Sequence, residues 1–137
     1  MHRLLETRSD IDRTKLAYLG SSWGAKNGAI IPAVEDRLGA SVLVVGGLWE
    51  EELPEVDPIN YVRRVNVPTL MLNGKYDKSI PYDFRVKPMY NLLGKDRDLK
   101  PGDTKDITVY DTDHFVPRDE FVKEANKWLD RHLGQVK

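Results

Sequence analysis

Ser41-Val42-Leu43-Val44-Val45-Gly46-Gly47-Leu48 is apolar almost without alternation. A strand with one wet face alternates apolar and polar side chains, whereas an unbroken run suits a strand covered on both faces of a parallel sheet. Thr69-Leu70-Met71-Leu72-Asn73-Gly74 has the same character. Parallel neighbours must be joined by crossovers long enough to hold a helix, and the stretches between the apolar runs supply them. Strands are therefore expected at 15–20, 41–48, 69–74 and 107–110.

In residues 23–38, Ala25, Ala29, Ile30, Ala33, Val34 and Leu38 recur at helical spacing, with Gly39 as a C-terminal stop and a kink expected near Pro32. Asp57-Pro58 reads as the N-cap and first residue of a short helix through Arg64. A further helix is expected over 82–93, ended by Gly94, and residues 95–106 read as a charged surface connection. Phe121, Val122, Ala125, Trp128, Leu129 and Leu133 form one apolar stripe on a closing amphipathic helix over 117–133. Leu4 and Leu5 among charged neighbours suggest the last turns of a helix over 1–8. The expectation is an α/β fold in one domain, residues 1–137: three layers, a parallel sheet of about four strands and helices on both faces.

The 21 basic residues face 22 acidic ones, so a net charge of −1 gives no electrostatic reason to bind nucleic acid or an anionic membrane. The expected partner is a small molecule or a protein. The absence of cysteine removes disulfides, thiol catalysis and cysteine metal sites together. No cofactor or metal is called for. The amino end has no apolar core long enough for a signal peptide, and no run approaches the length of a membrane span, so a cytoplasmic location is expected.

Chemistry enters at Leu16-Ala17-Tyr18-Leu19-Gly20-Ser21-Ser22-Trp23-Gly24, an apolar run ending in Gly-x-Ser-x-Gly. Between a strand and a helix this pattern forms a strained turn that lifts a serine hydroxyl above the end of a sheet. The tight turn calls for small residues on both flanks, supplied by Gly20 and Gly24. Ser22 is the candidate nucleophile, and the amide of Trp23, at the start of the new helix, is the candidate donor to an oxyanion. The competing reading is a simple helix-capping turn with Ser21 or Ser22 as N-cap.

In parallel sheets ligands bind beyond the carboxyl ends of the strands, and Ser22, Asp77 and His114 each follow a different predicted strand at that end. A serine hydroxyl needs a base, and the base needs a carboxylate to hold its tautomer. His114 fits best as the base, since His2 lies at the chain end and His132 in the last turn of the closing helix, where a histidine suits the helix dipole. Its alternative role is to cap the helix that begins near Pro117. For the carboxylate, Asp77 competes with Asp111 and Asp113, which are suited to holding their own turn, and with Glu50, Glu51 and Glu52. Asp77 is the choice.

Gly20-Ser21-Ser22-Trp23-Gly24, Leu72-Asn73-Gly74-Lys75-Tyr76-Asp77 with Pro81, Asp113-His114-Phe115-Val116-Pro117 and Trp128-Leu129-Asp130-Arg131 together resemble the carboxyl-terminal half of an α/β-hydrolase, of esterase-like or dienelactone-hydrolase-like type. The resemblance implies Ser22 as nucleophile, Asp77 as acid, His114 as base and Trp23 as the first oxyanion amide. It also implies an eight-stranded complete fold, of which the four leading strands and the second oxyanion amide are not in this sequence. The activity implied is that of a serine ester hydrolase working through an acyl-enzyme on a small-molecule ester. Two other readings are a catalytically silent interaction module and a peptidase of the prolyl-oligopeptidase type. The first strand would then have a bare edge, so a homodimer through that edge or its flanking helices, or association with an amino-terminal half, is expected.

Overall fold

The computed structural model describes residues 7–49 and 52–135. Four strands form one sheet: β1 (Leu16–Ser21), β2 (Leu38–Val44), β3 (Thr69–Gly74) and β4 (Lys105–Tyr110). All neighbours are parallel and the order is β1-β2-β3-β4, so each crossover moves the chain one strand along and leaves β1 and β4 as the edges. The helices are α1 (Trp23–Asn27), α2 (Ile31–Val34), α3 (Lys87–Leu92) and α4 (Arg118–Leu133). Among the described residues no helix is long and apolar enough to cross a membrane.

The unbroken apolar runs are explained by two separate cores. Leu43 and Met71 point to one face, where Ala25, Ala29, Val62, Val65, Ile80, Val86, Met89 and Leu93 cover them. Val42, Leu70 and Leu72 point to the other, under Ala125 and Trp128 of α4. Successive strand residues thus bury in opposite layers, and every residue of β3 is buried.

Several boundaries differ from the sequence expectation. The helix over 23–38 is two short helices broken at Gly28 to Ile30, because Pro32 sits in the first turn of α2, where its missing N–H is harmless, and does not kink a continuous helix. Gly39 is no helix stop; it is the second residue of β2, which starts and ends earlier than expected because Val45 adopts a left-handed conformation (φ 46°) and turns the chain out of the sheet. Pro88 likewise starts a new helix, so residues 82–93 divide into a wide turn at Tyr82–Val86 and α3, after which Gly94 (φ 62°) ends it. The helix expected from Asp57 is a pair of 3-10 turns, Pro58–Asn60 and Val62–Arg64, with Asp57 accepting from the Ile59 amide (3.1 Å). The connection over 95–106 contains a 3-10 turn (Lys95–Arg97) and the start of β4. Of the expected amino-terminal helix, residues 1–6 lie outside the described residues, and Thr7 and Arg8 are not helical.

Two polar groups in the layers carry consequences. The buried Lys105 donates to the carbonyls of Tyr90 and Leu93 (both 3.1 Å) and so caps α3, whose last carbonyls have no helical partners. Lys105→Met should cost about 1–3 kcal/mol, measured by denaturant unfolding. His132 stacks on Trp128 with ring centroids 4.3 Å apart. Burial, and then the Arg131 cation, hold its imidazole below the ordinary value of 6.5, while Asp103 pulls the other way. The lowered pKa weakens what His132 can contribute to the helix dipole at neutral pH. A histidine with a depressed folded pKa stabilises above its unfolded pKa and loses that contribution as pH falls through the folded one. His132→Gln should thus flatten the decline of Tm between about pH 7 and pH 5.

Candidate active site

Ser22 is the single residue between β1 and α1. Its backbone is strained, at φ 52° and ψ −112°, a region that side-chain-bearing residues seldom occupy. Two bonds hold it there: its N–H donates to the Val44 carbonyl of β2 (2.9 Å), and its carbonyl accepts from the Lys26 amide (3.0 Å). Only one flanking glycine is required by crowding. A Cβ on Gly20 would lie 2.4 Å from the Gly24 carbonyl oxygen, whereas a Cβ on Gly24 would have nothing within 4 Å. What Gly24 contributes is that carbonyl, which also accepts from the Tyr18 hydroxyl (2.6 Å) and so ties α1 back to its strand.

Ser22 occupies the N-cap position of α1 but its side chain makes no capping bond. The hydroxyl instead lies 2.9 Å from His114 Nε2. On the other side of the ring, His114 Nδ1 lies 2.6 Å from Asp77 Oδ2. A carboxylate only accepts, so the proton of a neutral imidazole sits on Nδ1 and leaves Nε2 free to accept from the serine. The Asp77 side chain is wholly buried, and that of His114 is one-third exposed. Asp77 Oδ1 accepts from the amides of Ser79 and Ile80 (both 2.9 Å), which fixes the carboxylate independently of the histidine.

The loops after β3 and β4 are built as one unit. The Lys75 amide donates to Tyr110 O (2.8 Å) and the Tyr76 amide to Thr112 O (2.9 Å). A Cβ on Gly74 would lie 1.9 Å from the Asp113 carbonyl oxygen, so glycine is what lets the two loops meet. Thr112 Oγ1 donates to Phe115 O (2.7 Å) and closes the turn that carries His114. The rival carboxylates are occupied elsewhere. Asp113 accepts from the Lys78 amide (3.3 Å), Asp111 is exposed and 4.0 Å from the Lys75 amine, and Glu52 pairs with Lys26. Glu50 and Glu51 lie outside the described residues.

The Trp23 amide belongs to the first residue of α1 and so has no helical acceptor. Because α1 is only five residues long, the helix dipole adds little, and the direct N–H contact is what this position offers to an anion. An open cavity of about 470 Å³ adjoins His114, with mostly apolar walls from Leu19, Val44, Val45, Phe115, Val116 and Phe121, and with Ser21 and Arg118 as its other polar members. The sequence reading missed Lys26, a buried amine in α1 that pairs with Glu52 and lies 5.6 Å from the Trp49 ring centroid, pinning the loop after β2 to the helix after Ser22. A lysine inside an apolar helix face was the available signal. Among the described residues no three histidine, aspartate or glutamate side chains are grouped to hold a metal.

No protein-family profile and no curated protein sequence matches the chain. Solved structures do. A protein assigned as a dienelactone hydrolase from Klebsiella pneumoniae superposes with a TM-score of 0.76 at 23% identity, over 93% of this chain and 57% of that one. The acylaminoacyl peptidase of Pyrococcus horikoshii gives 0.74 at 17% identity, over 99% of this chain and 27% of the peptidase. A cold-adapted esterase from an Arctic intertidal metagenomic library gives 0.63 at 20%, over 84% of this chain and 48% of the esterase. The chain thus spans little more than half the length of the first of these and less of the others. Four parallel strands with helices on both faces, superposing on these proteins, give the chain the fold of part of an α/β-hydrolase.

Proposed function

We propose that the chain carries the reacting residues of a serine hydrolase acting on small-molecule esters through an acyl-enzyme. The observation that carries this reading is the unbroken hydrogen-bonded line from Ser22 Oγ through His114 to Asp77, set on a strained turn. Ser22 Oγ attacks the ester carbonyl carbon as its proton passes to His114 Nε2, and the Trp23 amide donates to the resulting oxyanion. The C–O bond to the alcohol then breaks, the alcohol leaves with the proton from Nε2, and water repeats the sequence on the acyl-serine. Asp77 holds the ring and stabilises the imidazolium without taking its proton. Among the described residues Trp23 is the one oxyanion donor assigned, and a site short of a donor loses on the order of a hundred- to a thousand-fold in turnover. Activated esters, whose leaving groups need least help, are therefore the fitting substrates.

Ser22→Ala and His114→Ala should each abolish hydrolysis of p-nitrophenyl acetate above background, and the double variant should be no worse than either single one, because the two act as a unit. Unchanged activity in both single variants would refute the assignment. In Asp77→Asn, Oδ1 still accepts from Ser79 and Ile80 while an amide N–H faces His114 Nδ1 and selects the wrong tautomer. Turnover should fall by roughly three to four orders of magnitude with little change in Tm. A larger effect from Asp111→Asn would mean that the wrong carboxylate was chosen.

The same proposal includes association through β1. That strand pairs only with β2 among the described residues, and Leu19 on it is 59% exposed. An unguarded edge is a template for another strand, and a second copy joined about a two-fold axis would extend the sheet. Light scattering at micromolar concentration should report a dimer that Leu19→Lys converts to monomer.

A further inference from the structure

The sequence alone would carry β2 on through Leu48, yet the strand stops at Val44 because Val45 takes a left-handed backbone. A β-branched residue is a poor occupant of that region and persists there only where its surroundings over-determine it. Three contacts do so. The Val45 N–H donates to Leu72 O (2.8 Å), the preceding Val44 carbonyl accepts from Ser22 N–H (2.9 Å), and the following Gly46 carbonyl accepts from Asn73 Nδ2 (2.9 Å). Asn73 is wholly buried and its Oδ1 has no partner among the described residues. A buried amide left half satisfied is costly, so this position is poorly explained as core filling. What Asn73 does is hold the exit of β2. The turn it holds sets Val45 into the wall of the cavity beside His114, which Phe115 and Phe121 also line together with the polar Ser21 and Arg118.

We infer that Val45 is the specificity-determining residue for the apolar acyl group of the ester, and that Asn73 is the positioning residue that keeps Val45 in the cavity wall. The substrate class is an ester of an aliphatic acid whose chain length is limited by this wall. The inference rests on the serine-hydrolase reading, and its test separates the two. The wild type, Val45→Gly, Asn73→Ala and the double variant are compared on p-nitrophenyl acetate, butyrate and hexanoate, with Ser22→Ala as control. Val45→Gly removes the backbone strain together with the side chain, so it offers a variant whose folding does not depend on the Asn73 tether. One methylene in an apolar pocket is worth on the order of tenfold or more in selectivity, so Val45→Gly should raise the hexanoate-to-acetate ratio of kcat/KM by about tenfold. Asn73→Ala should move the ratio in the same direction, and the double variant should match Val45→Gly alone, since with no side chain left to position the tether has nothing further to lose. An unaltered ratio in Val45→Gly, with Ser22-dependent turnover of acetate intact, would overturn the pocket assignment and leave the serine-hydrolase reading standing. Additive shifts in the double variant would overturn the role of Asn73. Turnover that survives Ser22→Ala would bring down the hydrolase reading and this inference with it.

Discussion

Burial of β2 and β3 on both faces is the constraint from which the site follows. With Val42, Leu70 and Leu72 in one layer and Leu43 and Met71 in the other, the middle of the sheet has almost no position from which a charged side chain can reach water. Reactive groups are therefore confined to the strand ends, and parallel strands bring all their carboxyl ends to one side. Ser22, Asp77 and His114 leave β1, β3 and β4 at that side. Residues far apart in sequence become neighbours because the sheet's interior excludes polar chemistry.

Holding these ends in place requires backbone that ordinary strands and helices do not provide. Ser22 and Val45 both have positive φ, and they are linked through the bond from Ser22 N–H to the Val44 carbonyl. The Ser22 turn and the exit of β2 are thus one mechanical unit, anchored by Tyr18 on β1 and by Asn73 on β3. The histidine and the carboxylate form a second unit, closed by Gly74 against the Asp113 carbonyl. The bond between His114 and Ser22 joins the two units.

The strands were legible because their signals are local, and the same local signals singled out Ser22, Asp77 and His114, whose side chains the fold brings together. Apolar runs mark strands buried on both faces, and Gly-x-Ser-x-Gly, weak as a bare motif, gains its weight from the strand before it and the helix after it. Proline was misread where its position in the helix mattered: Pro32 and Pro88 each lie in the first turn of a new helix, and composition does not tell a start from a kink. The end of β2 was misplaced because Val45-Gly46-Gly47-Leu48 continues the apolar pattern, while the chain at Val45 and Gly46 is bonded to Leu72 and Asn73 of β3, which only the fold brings there. The roles of Lys105 and Lys26 were hidden for the same reason, although a lysine inside an apolar helix face marked Lys26 as unusual. Their partners, the end of α3 and Glu52, are brought to them only by the fold.

Each of the three proposed reacting residues adjoins an exposed aromatic in sequence: Trp23 after Ser22, Tyr76 before Asp77 and Phe115 after His114. The rim around the site is therefore apolar yet open to water, and water weakens any charge interaction it can reach. What keeps the Asp77 charge effective is its own burial beneath the loops, with two backbone amides on one oxygen and the imidazole on the other. The aspartate-to-histidine half of the line is thereby shielded and prealigned, while the histidine-to-serine half faces the solvent, from which the proposed substrate would arrive. That division places the electrostatic support where solvent cannot screen it, and leaves the developing oxyanion at Trp23 as the charge most dependent on whatever covers the open rim.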